Sequence, residues 1–130
     1  MIYYNIYQVS EIIGELHTKV QYWLYHSYIP TSIKGHKQGR GRKFTKNDIH
    51  LIYLFKYLLS IGISPQLSSS IISNMYYEKD SIYYNSKGWV KFRINSKSHI
   101  VVNISSLYKG INRSIEHFER RKETNEKSKE

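Results

Sequence analysis

The sequence predicts a mainly helical fold with a small β component, and the spacing of its apolar residues carries that prediction. Apolar residues recur at helical spacing in four segments before residue 75, and two segments after residue 88 alternate apolar and polar residues as strands do. A last helical stripe follows these two segments. At 130 residues, the chain is long enough for one domain with appendages.

Two short helices are predicted near the amino terminus, joined by a brief turn. Apolar residues at helical spacing predict the first over about 9–13, and Gly14 is placed to end it. The second is predicted over about 18–26, and Pro30 closes the region. Two such helices form a helix-turn-helix pattern.

A third and a fourth helix carry clear start signals. Thr45 is a good N-cap, and Asp48 stands at the third helical position, where a carboxylate favours free backbone amides. A broad apolar stripe follows to about Ser60. Ser64 is expected to cap the fourth helix, with Pro65 at its first position.

The segment between the second and third helices, residues 35–43, is basic and rich in glycine. Of the eight Lys and Arg among residues 1–75, six lie between Lys34 and Lys46. Glycines at 35, 39 and 41 disfavour a helix, and the residues around them permit a two-stranded ribbon with a glycine-rich tip. We therefore predict a wing.

Three stretches of this sequence resemble the MerR-type winged helix-turn-helix family. They are "YQVSEIIG", "TKVQYWLYHSYIP" and "GRGRKFTKNDIHLIYLFKYLLSIGIS", which occur in the family's order. The similarity as a whole covers about residues 6–72. The resemblance implies a winged helix-turn-helix that binds double-stranded DNA.

The candidate DNA contacts fall on the second helix and on the wing. A helix can reach base edges in the major groove, and a thin basic ribbon can enter the minor groove. Glutamine can read adenine, whereas threonine and tyrosine can bond phosphate. The candidates are Thr18, Lys19, Gln21, Tyr22 and Tyr25 on the helix, and Lys37, Arg40, Arg42 and Lys43 on the wing.

A β-hairpin is predicted after residue 88. The segments "GWVKFRI" and "HIVVNI" each alternate apolar with polar residues. The expected register places all apolar residues on one face, with the pairs Ile94–Ile100, Phe92–Val102 and Val90–Ile104.

A last helix is predicted after a cap at Ser105, with an apolar stripe formed by Leu107, Ile111, Ile115 and Phe118. Two interpretations are open for this stripe. It either docks against its own hairpin or forms a homodimer seam, and we favour the seam because two-fold pairing doubles the DNA half-sites. The predicted organisation is a DNA-binding domain over 1–75, a dimerisation or docking element over 76–122 and a disordered polar tail over 123–130.

The amino-acid composition excludes several classes of function. The formal net charge of +10 favours a polyanionic partner, and the absence of cysteine excludes disulfides and thiolate metal sites. The six histidines have no metal-binding spacing, and no catalytic arrangement is visible, so we expect no enzyme, metal, cofactor or small-molecule effector. Lys56 interrupts the best apolar run, and no leader is apparent, so we expect a cytoplasmic protein without a membrane partner.

The favoured function is a homodimeric transcriptional regulator that binds double-stranded DNA sequence-specifically. The compact size, and an amino-acid composition typical of an AT-rich coding sequence, also suit a phage or plasmid factor. An excisionase-like factor that bends DNA is an alternative within DNA binding. A module that inhibits a host protein is a second alternative, and RNA binding is a minor one.

Overall fold

The computed structural model describes residues 2–30, 43–77, 83–84, 88–93 and 96–128, and these form five helices and three strands. The prediction of a mainly helical fold with a hairpin and a carboxy-terminal helix is confirmed. The elements are α1 (Ile6–Ile13), α2 (His17–Tyr25), α3 (Lys46–Ser60), α4 (Pro65–Tyr77), β1 (Tyr83–Tyr84), β2 (Trp89–Arg93), β3 (His99–Asn103) and α5 (Ile104–Ser128).

Helix α1 begins three residues before the predicted start because its amino-terminal turn is capped. The Asn5 side chain accepts from the Gln8 backbone N–H at 2.9 Å, and the Gln8 side chain accepts from the Asn5 N–H at 2.9 Å. This reciprocal pair satisfies two backbone donors that lack helical partners. The predicted end at Gly14 is confirmed, with a left-handed φ of 71°.

Helix α3 is the centre of the core. Its predicted cap is confirmed, since the Asp48 N–H donates to the Thr45 side chain at 3.2 Å and the Thr45 N–H donates to the Asp48 carboxylate at 2.9 Å. Phe55 is fully buried, and its ring centroid lies 5.1 Å from that of Trp23 and 5.7 Å from that of Tyr28. Helices α1, α4 and α5 all contact α3. The predicted cap of α4 is also found, as the Leu67 N–H donates to the Ser64 hydroxyl at 3.2 Å.

The three strands form an antiparallel sheet in the order β1-β2-β3, and the predicted register is wrong by two residues. Val90 pairs with Val102 instead of Ile104, because the chain turns into α5 at Ile104. A shift of two keeps every side chain on its predicted face. The expected cap at Ser105 is also replaced, since the Asn103 side chain accepts from the Ser106 N–H at 2.9 Å. Strand β1 was not predicted.

The apolar stripe of α5 lies inside the chain. Ile111, Ile115 and Phe118 belong to the core at 1, 2 and 8% exposure, and Leu107 packs against it half-buried. Helix α5 contacts α1, α3 and β2. The stripe is therefore buried within the chain, as the docking interpretation describes. The helix continues to Ser128, into the segment 123–130 for which the sequence predicts disorder.

Tyr4 joins the amino terminus to the residue that ends the basic segment. Its backbone N–H donates to the Phe44 carbonyl at 2.9 Å, and the Phe44 N–H donates back at 2.8 Å. The Tyr4 ring is 2% exposed and lies edge-on to Phe118 at 6.2 Å. Burial, reinforced by the neighbouring Glu119 carboxylate, raises the pKa of Tyr4 from 10.0 to about 12.

We expect stability to depend on Tyr4 at alkaline pH. The folded chain holds this proton more tightly than the unfolded chain, so its contribution is complete below pH 10.0 and is lost as the pH rises to about 12. That loss amounts to about 2 to 3 kcal/mol. Urea unfolding at several pH values should show a shallower alkaline decline for Tyr4→Phe than for the wild type. The exposed Tyr7→Phe should follow the wild type, and identical slopes for all three would contradict the assignment.

Gly88 holds the start of β2 against the start of α5. Its φ is 86°, its carbonyl accepts from the Ile104 N–H at 2.9 Å, and a Cβ at this position would lie 2.2 Å from the Ser105 Cβ. We expect Gly88→Ala to lower the free energy of unfolding by more than about 2 kcal/mol.

Gly110 provides the matched control, because it lies within α5 and a Cβ there meets nothing within 4 Å. Gly110→Ala should stabilise by about 0.5 to 1 kcal/mol through helix propensity. Urea unfolding of the two variants measures both effects, and a neutral Gly88→Ala would refute the close approach.

Candidate nucleic-acid interface

The turn between α1 and α2 is fixed by local bonds and by one lysine from α3. Gly14 adopts the left-handed conformation, and the Glu15 N–H donates to the Ser10 carbonyl at 3.1 Å. The Lys56 ammonium donates to the Ile13 carbonyl at 2.7 Å and to the Gly14 carbonyl at 3.2 Å. A cation at this position complements the negative end of the α1 dipole and ties the turn to the core.

Sequence reasoning missed this role of Lys56. It treated the residue only as an interruption of an apolar run. The available signal was the run itself, since a lysine within an otherwise buried helix needs an acceptor or a route to solvent. The apolar pattern did not identify which carbonyls accept hydrogen bonds from the Lys56 ammonium, because they lie 42 and 43 residues away in the sequence.

Helix α2 presents a polar and aromatic face to solvent. Its inner side is formed by Val20, Trp23 and Leu24, all buried. The predicted DNA contacts lie on the other side: Thr18, Lys19, Tyr22 and Tyr25 are exposed, and Gln21 is half-buried. The structure therefore brings all five helical candidates onto one element, available to a ligand without rearrangement of the core.

The exposed face of α2 carries little net charge. Lys19 is its one Lys or Arg, and the ammonium lies 3.8 Å from the Glu15 carboxylate and 6.0 Å from the centroid of Trp23. Such an exposed pair is worth about 0 to 1 kcal/mol, so the ammonium can leave it for a phosphate at little cost. Helix α2 therefore contributes little of the net charge of +10 that favours a polyanionic partner.

An aromatic cluster surrounds His26 at the end of α2. The imidazole centroid lies 4.2 Å from Tyr22, 5.3 Å from Tyr25 and 5.7 Å from Tyr28. Tyr22 and Tyr25 remain 56 and 65% exposed, so the cluster adds flat, hydrogen-bonding surface beside the polar face. The sequence analysis did not identify this cluster, although Tyr22 stands four residues before His26 and was a usable signal.

Of the four DNA-contact candidates on the wing, the structure describes only Lys43. Lys37, Arg40 and Arg42 lie outside the described residues, so their predicted role stays a prediction. Lys43 is exposed, and its ammonium lies 5.7 Å from the centroid of Tyr3. Since Phe44 pairs with Tyr4, the chain leaves the basic segment at a fixed position beside the amino terminus.

The residues that the structure describes contain neither a metal-binding cluster nor a membrane-spanning helix. No cluster of three or more His, Cys, Asp or Glu side chains among them could hold a metal ion. None of their helices is both long and apolar enough to cross a bilayer.

Two short helices joined by a glycine turn, followed by a basic segment and a capped third helix, define a helix-turn-helix protein. The chain belongs to the MerR family of helix-turn-helix regulatory proteins, whose family model matches residues 4–74. This confirms the resemblance predicted over about 6–72. The family is one of DNA-binding regulators and not of enzymes. None of the curated proteins compared with the chain matches it.

We expect Lys56→Met to weaken the turn between α1 and α2. The change keeps the aliphatic stem but leaves two carbonyls without their charged donor, so the free energy of unfolding should fall by about 1 to 2 kcal/mol. Thermal and urea unfolding measure it. Lys109→Met, which removes an exposed lysine from α5, is the control and should change stability by less than about 0.5 kcal/mol. Equal effects would contradict the capping role.

Proposed function

We propose that the protein is a transcriptional regulator that binds double-stranded DNA sequence-specifically, with α2 in the major groove and the basic wing in the minor groove. The observation that carries this proposal is the exposed face of α2, held beside a turn that Lys56 fixes to the core. Membership in a DNA-binding regulatory family supports the same function.

The chemistry of the α2 face suits base reading more than phosphate attraction. Gln21 can bond adenine through its amide, and Thr18 and Tyr22 offer hydroxyls to bases or phosphates. With one lysine close to an acid, this face adds little non-specific affinity. We therefore assign the discrimination between DNA sequences to α2.

Affinity is assigned to the wing. Its residues Lys37, Arg40, Arg42 and Lys43 belong to the densest cluster of cations in the first 75 residues. If about six phosphates are neutralised per protomer, log K should fall against log salt with a slope near −5. Glycines between the cations allow the backbone to approach the sugar-phosphate walls.

A homodimer completes the proposal. One helix and one wing cover too little DNA for high specificity, and two-fold pairing doubles the half-sites read. Because Ile111, Ile115 and Phe118 are buried within one chain, the dimer contact is assigned to exposed surface outside that stripe. Sedimentation equilibrium with and without operator DNA tests this part separately.

The DNA experiment titrates the protein against a duplex from its own upstream region, with a scrambled duplex as competitor, at two salt concentrations. Gln21→Ala should reduce the preference for the specific duplex by about 5- to 150-fold, because it removes the side chain proposed to read adenine. Arg40→Ala with Arg42→Ala should weaken binding to both duplexes and reduce the salt slope by about 1.8. Arg120→Gln removes an exposed cation from α5 and serves as the control.

Three results would count against the proposal. A wild-type preference of tenfold or less would indicate general DNA coating. Function retained without Arg40 and Arg42 would favour a protein-inhibiting module. A footprint over several repeats instead of one inverted repeat would favour an excisionase-like factor.

A further inference from the structure

The outward side of the hairpin is a second surface with binding chemistry, separate from α2. Strands β2 and β3 alternate their side chains, so that Val90, Phe92 and Val102 face the core at 0, 4 and 6% exposure. The opposite side holds what we name the hairpin outer face. It consists of Trp89, Lys91, Arg93, His99 and Val101.

The strand register packs these five side chains closely. Lys91 stands directly opposite Val101, and Arg93 stands opposite His99. Side chains directly opposite on antiparallel strands have Cβ atoms about 4.5 to 5.5 Å apart, and positions two residues apart along a strand are separated by about 7 Å. The face is therefore one continuous patch a few residues wide.

The hairpin outer face combines exposed apolar surface with positive charge. Trp89 is 42% exposed and Val101 is 51% exposed. In the part of the chain that the structure describes, Lys91 and Arg93 make no ion pair. Exposed apolar groups arranged together on one face of a sheet are typical of binding surfaces.

The positive charge of the sequence around the hairpin indicates which kind of partner the hairpin outer face would bind. Residues 81–115 contain no Asp or Glu, and their six Lys and Arg are Lys87, Lys91, Arg93, Lys97, Lys109 and Arg113. All seven acids of the second half lie outside this stretch, in 76–80 and 116–130. The stretch that carries this face is therefore basic throughout, and a polyanion is the complementary partner.

We propose that the hairpin outer face binds a single-stranded nucleic acid, with an unpaired base stacked on Trp89 and the backbone phosphates paired with Lys91 and Arg93. A sheet face with an exposed aromatic ring suits unpaired bases, because in a duplex the base faces are already stacked on one another. This activity goes beyond the duplex-binding function proposed for α2 and the wing and does not depend on it.

The two tryptophans make the proposal directly measurable. Trp23 is 4% exposed and lies in the core, whereas Trp89 is accessible. Titration of the full-length chain with oligothymidylate and with oligouridylate should quench the Trp89 emission and leave the Trp23 emission as an internal reference. The two oligonucleotides distinguish a DNA from an RNA ligand of the same chemistry.

Anisotropy of a labelled oligothymidylate then assigns the contacts. Trp89→Ala should weaken single-strand binding by about 5- to 150-fold, whereas Trp89→Phe keeps an aromatic ring and should bind within about threefold of the wild type. Lys91→Gln with Arg93→Gln should reduce the salt slope by about 1.4. Tyr7→Ala, an exposed aromatic on α1, is the matched control and should leave single-strand affinity unchanged.

The outcomes separate this proposal from the duplex-binding one. Gln21→Ala should lose duplex preference while keeping single-strand affinity, so either function can fail alone. Folding of each variant is checked by circular dichroism and thermal unfolding. Unquenched Trp89 emission, or equal single-strand affinity in wild type and Trp89→Ala, would overturn the proposal. Quenching by polyglutamate but by neither oligonucleotide would overturn it in favour of an acidic protein partner.

Discussion

The packing of Phe55 on α3 is the interaction on which the rest of the structure depends. Its ring is fully buried between Trp23 of α2 and Tyr28, which follows α2. The next residue, Lys56, bonds the carbonyls that end α1. One turn of α3 therefore fixes both the inner side of α2 and the turn that precedes it. The exposed face of α2 is oriented as a consequence, because burial of its other side leaves no rotational freedom.

Local signals predicted most of the helical scaffold. The Thr45 and Asp48 cap and the Gly14 stop were predictable because caps depend on side chains within four residues. Lys56 could not be assigned in this way, since its acceptors are distant in sequence. Of the predicted site residues, the five on α2 share one side of the helix, where four are exposed and Gln21 is half-buried. Lys37, Arg40 and Arg42 lie outside the described residues.

The second half shows a different limit of sequence reasoning. Alternation identified the inner and outer faces of the hairpin but not its register, because a shift of two residues satisfies the same alternation. The register is decided by where the chain leaves the sheet: Gly88 accepts the Ile104 N–H, and Asn103 caps α5. The α5 stripe was ambiguous for a similar reason, since apolar periodicity predicts burial without identifying the surface that covers it.

Charge and shape are distributed differently over the two surfaces proposed to bind nucleic acid. On α2, polar and aromatic groups accompany a lysine that lies near Glu15, so the recognition proposed there would depend on hydrogen bonds more than on electrostatic attraction. On the hairpin outer face, Lys91 and Arg93 lie in a stretch without acids, on the same side of β2 as an exposed tryptophan. A duplex offers base edges in its grooves, and a single strand offers base faces. The two surfaces therefore match different forms of nucleic acid and need not compete for one ligand.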